Sequence, residues 1–198
     1  MVNYRRATVP GATYFFTVTL RDRHSRLLTE QITAFREALK TTKRSQPFRI
    51  DAMAVLPDHV HTIWTLPPDD HDYSGRWRAI KAGFTRAVQA RGVSVRRNRR
   101  GEYDVWQRRF WEHLIRDGTD FTRHVDYIHF NPVKHGLAQR PVDWPLVLPA
   151  QIHPAGHCSA RLGRRRGRRA VRRVMGIPDS AALHPGYDFY NFSRWGRQ

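Results

Sequence analysis

Two short strings combine residue types that can hold a cation and attack a phosphate. The first is His59-Val60-His61. On a β-strand, residues two apart project from one face, with Cα atoms roughly 6.5–7 Å apart. Two imidazoles so placed can converge on one metal ion at about 2.1 Å each, while Val60 turns into the core. The second string is Tyr127-Ile128-His129-Phe130-Asn131. On an α-helix Tyr127 and Asn131 are four apart and share a face. A tyrosine hydroxyl beside a metal-bound phosphate is a nucleophile, and the Asn131 carbonyl oxygen can complete the metal shell. His129 and His135 are further imidazoles close by in sequence. His129 lies about 160° around a helix from Tyr127 and is left out of the ligand set. Taken singly, each string has a bland alternative. A His-x-His is more often strand filling, and a helical tyrosine more often edges a core.

The elements that must position these groups can be read from hydrophobic period and turn residues. Residues 13–20 are β-branched and aromatic, bounded by Pro10-Gly11 and Arg21-Asp22-Arg23, and predict a strand. Ile32, Phe35 and Leu39 predict a helix over 29–42 with Thr29 as N-cap. Residues 48–56 and 59–66 predict two strands joined as a hairpin through Pro57-Asp58. Residues 74–90 predict a helix with Trp77, Ile80, Phe84 and Val88 on one face and Arg76, Lys81 and Arg86 elsewhere. A basic loop spans 91–101 and a fourth strand is expected over 105–115. A helix over 117–128 is expected to reach Asn131, with Pro132 limiting it, because the residue before a proline disfavours the helical region. The order is β-α-β-β-α-β-α. Its first six elements match an α+β, ferredoxin-like split βαβ, an antiparallel sheet with helices on one face. The seventh is the helix that carries Tyr127.

Charge points to the partner. Lys and Arg number 35 against 17 acids in 198 residues, a net +18 and a pI near 11.3. Such an excess repels itself unless a polyanion neutralises it, and nucleic acid returns counterion-release free energy for each phosphate contact. No stretch is long and apolar enough to span a bilayer, and the start of the chain lacks a signal-type apolar segment, so a cytoplasmic protein without membrane partners is expected. The single Cys158 excludes an intramolecular disulfide and a cysteine-rich zinc site.

In context the two strings are specific. Asp126-Tyr127-Ile128-His129-Phe130-Asn131-Pro132-Val133-Lys134-His135-Gly136-Leu137 resembles the tyrosine helix of REP-associated tyrosine transposases. Leu56-Pro57-Asp58-His59-Val60-His61, Asn3-Tyr4-Arg5-Arg6 and Trp106-Gln107-Arg108-Arg109-Phe110-Trp111-Glu112-His113 resemble other family strings, in the same order and spacing. The resemblance covers residues 1–145, a catalytic domain of the single-tyrosine HUH superfamily, named for two histidines flanking a bulky apolar residue. It implies a ferredoxin-like fold, a divalent ion (Mg or Mn) on His59, His61 and Asn131, and Tyr127 as nucleophile. The product would be a 5′-phosphotyrosine with a free 3′-hydroxyl. The implied substrate is a single-stranded REP hairpin, bound by a monomer or homodimer. Lys134 is a candidate for local positive charge beside the tyrosine.

Single strands are held by basic grooves with aromatic platforms. Candidate backbone contacts are Arg5, Arg6, Arg96, Arg97, Arg99, Arg100, Arg108, Arg109 and Lys134. On a strand, 106, 108 and 110 share one face and 107, 109 and 111 the other, so only one set can meet DNA. Residues 146–198 depart from the family and are expected to be an Arg-rich, largely disordered tail. Residues 150–198 hold ten Arg and two Asp, so ten of the eighteen net charges sit on the first 149 residues. A reading-frame shift near codon 146 would account for the departure, since Leu146-Val147-Leu148-Pro149 read one base later gives Trp-Ser-Phe with suitable codons. Two rival functions remain open at this stage, a nucleic-acid-binding module without catalysis and a metal nuclease using water. A covalent adduct with DNA that needs Tyr127 separates both from the transesterase.

Overall fold

The computed structural model describes residues 8–99, 101 and 103–150. Arg5, Arg6, Arg100 and the tail from 151 lie outside them.

The element order is β1 (Thr13–Thr19), α1 (Leu27–Glu30), α2 (Ile32–Ser45), β2 (Arg49–Val55), β3 (His59–Thr65), α3 (Tyr73–Ala90), β4 (Trp111–Leu114), α4 (Gly118–Lys134) and β5 (Val147–Leu148). A short 3-10 turn, Pro141–Asp143, precedes β5. The sheet runs β4-β1-β3-β2-β5 with every neighbouring pair antiparallel. Its first four strands have the split βαβ order expected, and α4 is the added helix.

Alternation along the strands assigns the two faces. On β1, Tyr14, Phe16 and Val18 join Val60 and Trp64 of β3 beneath α2 and α3. Trp64 stacks on Trp77 of α3 with ring centroids 4.2 Å apart. The intervening Phe15 and Ile63 turn to the other face and meet Ile128 of α4, together with Ala52 and Ala54 of β2. Small side chains at 52 and 54 let the helix lie close to the sheet.

Three elements before α4 differ from expectation. The helix expected over 29–42 is two pieces, α1 and α2, meeting at Gln31. Arg76, expected off the core face of α3, is buried and binds Asp70 through two nitrogens at 3.0 and 2.6 Å. The guanidinium is tolerated because its donors are met. The strand expected over 105–115 is confined to Trp111–Leu114, with one isolated bridge from Trp106 to Leu20. Leu20 faces Trp106 and Thr17 faces Trp111, so five steps on this side oppose three on β1. The two extra residues loop out and expose Arg108 and Arg109.

The sheet also continues past the boundary expected at 145. Leu148 and Val147 pair with Met53 and Ala54, and the Trp144 indole N–H donates to the Val55 carbonyl at 2.9 Å. The segment that departs from the family thus supplies an edge strand.

Candidate active site

His59 and His61 project from β3 toward α4, since Val60 between them is in the opposite core. Their ring centroids are 4.7 Å apart. Imidazoles bound to one ion at about 2.1 Å, and 90–110° apart, have centroids roughly 4.5–5.3 Å apart. Each ring is oriented from behind. His59 Nδ1 meets Asp58 Oδ1 at 2.7 Å, and Arg23 Nε donates to the other Asp58 oxygen at 2.6 Å. Burial raises the Asp58 pKa, but the bonds and charges of His59 and Arg23 outweigh it and hold the carboxyl below its ordinary value. A carboxylate can only accept, so His59 Nδ1 carries a proton toward Asp58, which leaves Nε2 as the atom that can turn to an ion. His61 Nδ1 meets Thr17 Oγ1 at 2.9 Å, and with that hydroxyl accepting, Nε2 keeps its lone pair. Burial pushes His61 well below the usual imidazole range, and His59 and His135 push the same way, so the ring is neutral and fit to be a ligand.

α4 brings the phenol. Asp117 caps its start by accepting from the Asp120 backbone N–H at 2.8 Å. Tyr127 is half-buried, its ring 5.0 Å from His61 and 5.9 Å from Phe15, both edge to face. Lys134 Nζ sits 5.6 Å from the Tyr127 ring centroid. Asn131 is 1% exposed, and neither its amide nitrogen nor its oxygen has a hydrogen-bond partner among the described residues. Its side chain approaches His61 closely enough to oppose the downward shift of that ring, yet outside hydrogen-bond geometry. A buried amide without partners costs roughly 1–3 kcal/mol. That orphaned oxygen, with two lone pairs at Nε2 nearby, makes a donor set that suits a divalent ion.

Pro132 does not end the helix, contrary to expectation. α4 runs on to Lys134 and closes with Gly136 at φ 67°, whose N–H binds the Val133 carbonyl while Leu137 N–H binds that of Pro132. Both bonds are at 2.9 Å, and together they satisfy the last carbonyls. The extra turn carries His135 to the site, with its ring 5.1 Å from that of His59. Burial lowers the His135 pKa, and His59 adds to the effect. Sequence reasoning named this residue without placing it. The signal was present in the spacing, since 127, 131 and 135 recur every four residues, but it depended on the helix passing Pro132. Asp58 is a further functional residue, whose sequence signal is only that of a turn beside Pro57. His129 stands apart as expected; it is buried and bonds the Leu148 backbone, tying α4 to β5.

A second cluster lies outside this site. His113 Nε2 and Arg116 Nε both reach Asp120 Oδ2 at 2.9 Å, and His124 Nδ1 reaches the Asp120 carbonyl at 2.7 Å. Ligand atoms of His113, Asp120 and His124 lie within 4.8 Å of one another. The guanidinium already on that carboxylate opposes a cation, so the cluster acts as a clamp joining β4 to the start of α4. Bonds from Arg116 and His113 hold Asp120 well below the carboxylate range against the effect of burial.

The basic candidates divide by place. Arg108, Arg109 and Lys134 are exposed and flank β4 and α4. Arg96, Arg97 and Arg99 are exposed on a loop whose Val93 and Val95 anchor to the α2/α3 side, and Arg97 is stacked on Tyr103. The structure does not bring this loop to Tyr127.

Residues 8–131 match the family model described as "Transposase IS200 like". The chain is 50% identical over 145 residues to the REP-associated tyrosine transposase of Escherichia coli (strain K12), covering 73% of this chain and 81% of that one. A solved structure, that of a REP-associated tyrosine transposase bound to a REP hairpin, superimposes with a TM-score of 0.66 at 49% identity, covering 74% of this chain and 82% of that one. Match, length and fold agree, and the chain belongs to the IS200-like transposase family, among its REP-associated tyrosine transposases.

Proposed function

We propose that this chain cleaves and rejoins single-stranded DNA at the foot of a REP-type hairpin, with Tyr127 as nucleophile. The Tyr127 Oη forms a bond to phosphorus as the O3′–P bond breaks. Tyrosine gives up one proton and the departing 3′-oxygen gains one. The 5′ side stays on the enzyme as a phosphotyrosine. In the return step a 3′-hydroxyl attacks that phosphorus and Tyr127 recovers its proton. One phosphodiester replaces another, so the exchange needs no nucleotide cofactor.

His59 Nε2, His61 Nε2 and the Asn131 oxygen would hold the divalent ion, Mg or Mn. When bound, the ion supplies positive charge to the non-bridging phosphate oxygens, where charge builds in the transition state. Asp58 and Thr17 fix the two imidazole orientations. Lys134 adds a cation beside the phenol, where negative charge builds as the proton leaves. Arg96, Arg97, Arg99, Arg108, Arg109 and Lys134 are proposed backbone contacts, joined by Arg5 and Arg6 at the N-terminus. The Arg108–Arg109 pair is favoured, because it is exposed and directly precedes Trp111, which shares the face of Phe15. The protein would work in the cytoplasm as a monomer or homodimer.

The observation that carries this reading is the meeting of the His61 and Tyr127 rings beside a buried Asn131 whose amide has no hydrogen-bond partner among the described residues. The test uses single-stranded hairpins from the chromosome around the gene, incubated with Mn²⁺ and run on a denaturing gel. A covalent species absent from Tyr127→Phe is expected. Cleavage that persists in Tyr127→Phe would instead point to a water-using nuclease and end the proposal.

A further inference from the structure

We propose that Trp111 is the stacking platform for an unpaired nucleobase flanking the phosphodiester that Tyr127 attacks. The inference deepens the DNA-cleaving reading above and rests on it.

Trp111 stands at the start of β4 and is 37% exposed, more than any other described tryptophan. An indole left open beside basic side chains is able to take a nucleobase on its face. Its position names the face. Thr17 on β1 is its register partner, and its ring meets the edge of Phe15 at 5.6 Å. Phe15 also contacts Tyr127 at 5.9 Å and His61 at 5.7 Å. The open indole and the nucleophile are therefore two ring contacts apart, on the same side of the sheet.

The ring is also held in place. Trp111 lies parallel to His113, with an interplanar angle of 5° and centroids 5.9 Å apart. His113 lies near-parallel to His124 at 4.6 Å, and its Nε2 is anchored on Asp120. The row Trp111–His113–His124 is a stack that begins in the core and ends in an exposed indole. A base would be its next member. The clamp on Asp120 thereby acquires a second consequence, which is to fix the plane on which the base lands. Arg108 and Arg109, looped out just before Trp111, have no ion-pair partner among the described residues and suit the adjoining phosphates. Basic groups beside a rigid aromatic plane are the usual means of gripping a single strand.

The expected preference is for stacking rather than for one base, because every base offers a π-face. Trp111 would then set how the strand is seated, while sequence would be read elsewhere.

The test uses the full chain in a Tyr127→Phe background, which blocks cleavage. Single-stranded hairpins from the chromosome around the gene carry 2-aminopurine, an adenine analogue quenched by stacking, at each unpaired foot position in turn. At one position we expect strong quenching that Trp111→Leu abolishes and Trp111→Phe retains, with binding about tenfold weaker in the Leu protein. Leu still covers Phe15, so a merely structural ring would make the Leu and Phe variants alike. Quenching by Trp111→Leu equal to that of the unsubstituted ring at every position would overturn the proposal, leaving the indole as a lid on Phe15 or a contact between copies. The quenching signal needs no chemistry. Failure of the platform is thus distinguishable from absence of a covalent adduct, which would count against the transesterase itself.

Discussion

Behind the sheet, α2 and α3 close over Tyr14, Phe16, Trp64 and Trp77, and volume does the specifying. In front, α4 closes over Phe15, Ile63 and Ile128, but its helix also carries Asn131, His124 and His129 inward. The first face buries aromatic rings against each other. Both leave buried polar atoms without partners among the described residues, the indole N–H groups of Trp64 and Trp77 behind and the amide of Asn131 in front, but only in front does the orphan lie beside an imidazole, that of His61. A protein accepts such cost where a ligand, not the protein itself, completes the bonding. The contrast teaches where to look for function on this sheet. It also makes the two faces separable by experiment.

The sharpest separation is between Tyr127 and Trp77. Tyr127→Phe should abolish the covalent DNA adduct on a denaturing gel while moving the thermal midpoint little, because the ring stays in place and its face contacts survive. Trp77→Ala should cost about 3–5 kcal/mol of stability by denaturant unfolding, since it opens a cavity under a stacked pair. If Tyr127→Phe instead destabilised as strongly, the distinction between a packed face and a working face would fail.

Proton linkage offers a graded test. Burial pushes His129 down to about 4, from an ordinary 6.5. Between those values the unfolded chain binds a proton that the native one refuses, so stability rises with pH and is lost as pH falls from 6.5 toward 4. At full extent this one ring contributes about 3 kcal/mol. Chemical unfolding at pH 7 and pH 4.5 should show the fall, and His129→Leu should lessen it by this ring's share, the rest coming from His61, His124 and His135, which are lowered too. An unchanged slope in that variant would place the pH sensitivity elsewhere.

Two smaller effects concern the ligand set. Asp58→Asn keeps an oxygen near His59 but removes the charge that fixes its tautomer, and should weaken Mn²⁺ binding about 10–100-fold by calorimetry. Asn131→Leu should move two measurements in opposite directions. Metal-free protein should gain about 1 kcal/mol, since an unpaired buried amide is replaced by carbon, and Mn²⁺ binding should fall. A loss of stability in metal-free Asn131→Leu would mean that the amide is satisfied in solution and is no orphan.

Much of the sheet was legible beforehand. Strands were expected at 13–20, 48–56 and 59–66, and they are Thr13–Thr19, Arg49–Val55 and His59–Thr65. The helix expected over 74–90 is Tyr73–Ala90. In each, apolar period and flanking breakers agree, so local preference and tertiary packing ask for the same thing. The misreadings are places where they part. Pro132 is a local stop signal, overridden because α4 is packed along the sheet and closed by Gly136 and Leu137. Alternation over 105–115 was broken by two residues that only pairing with β1 reveals as extra. Val147 and Leu148 carry no pattern long enough to read, and become a strand because the β2 edge offers them partners.

From sequence alone came the chemical inventory: two histidines with one face between them, a tyrosine and an asparagine one helical turn apart, and enough positive charge to want a polyanion. These follow from residue type and from periods of 2.0 and 3.6, which are properties of the backbone. Tertiary structure decided what those groups meet. That His61 faces Tyr127, that Asp58 turns His59, that His135 joins them and that Trp111 stays open are all long-range facts. They arise from strand order and helix docking, and no local period encodes which distant residue will lie across the gap.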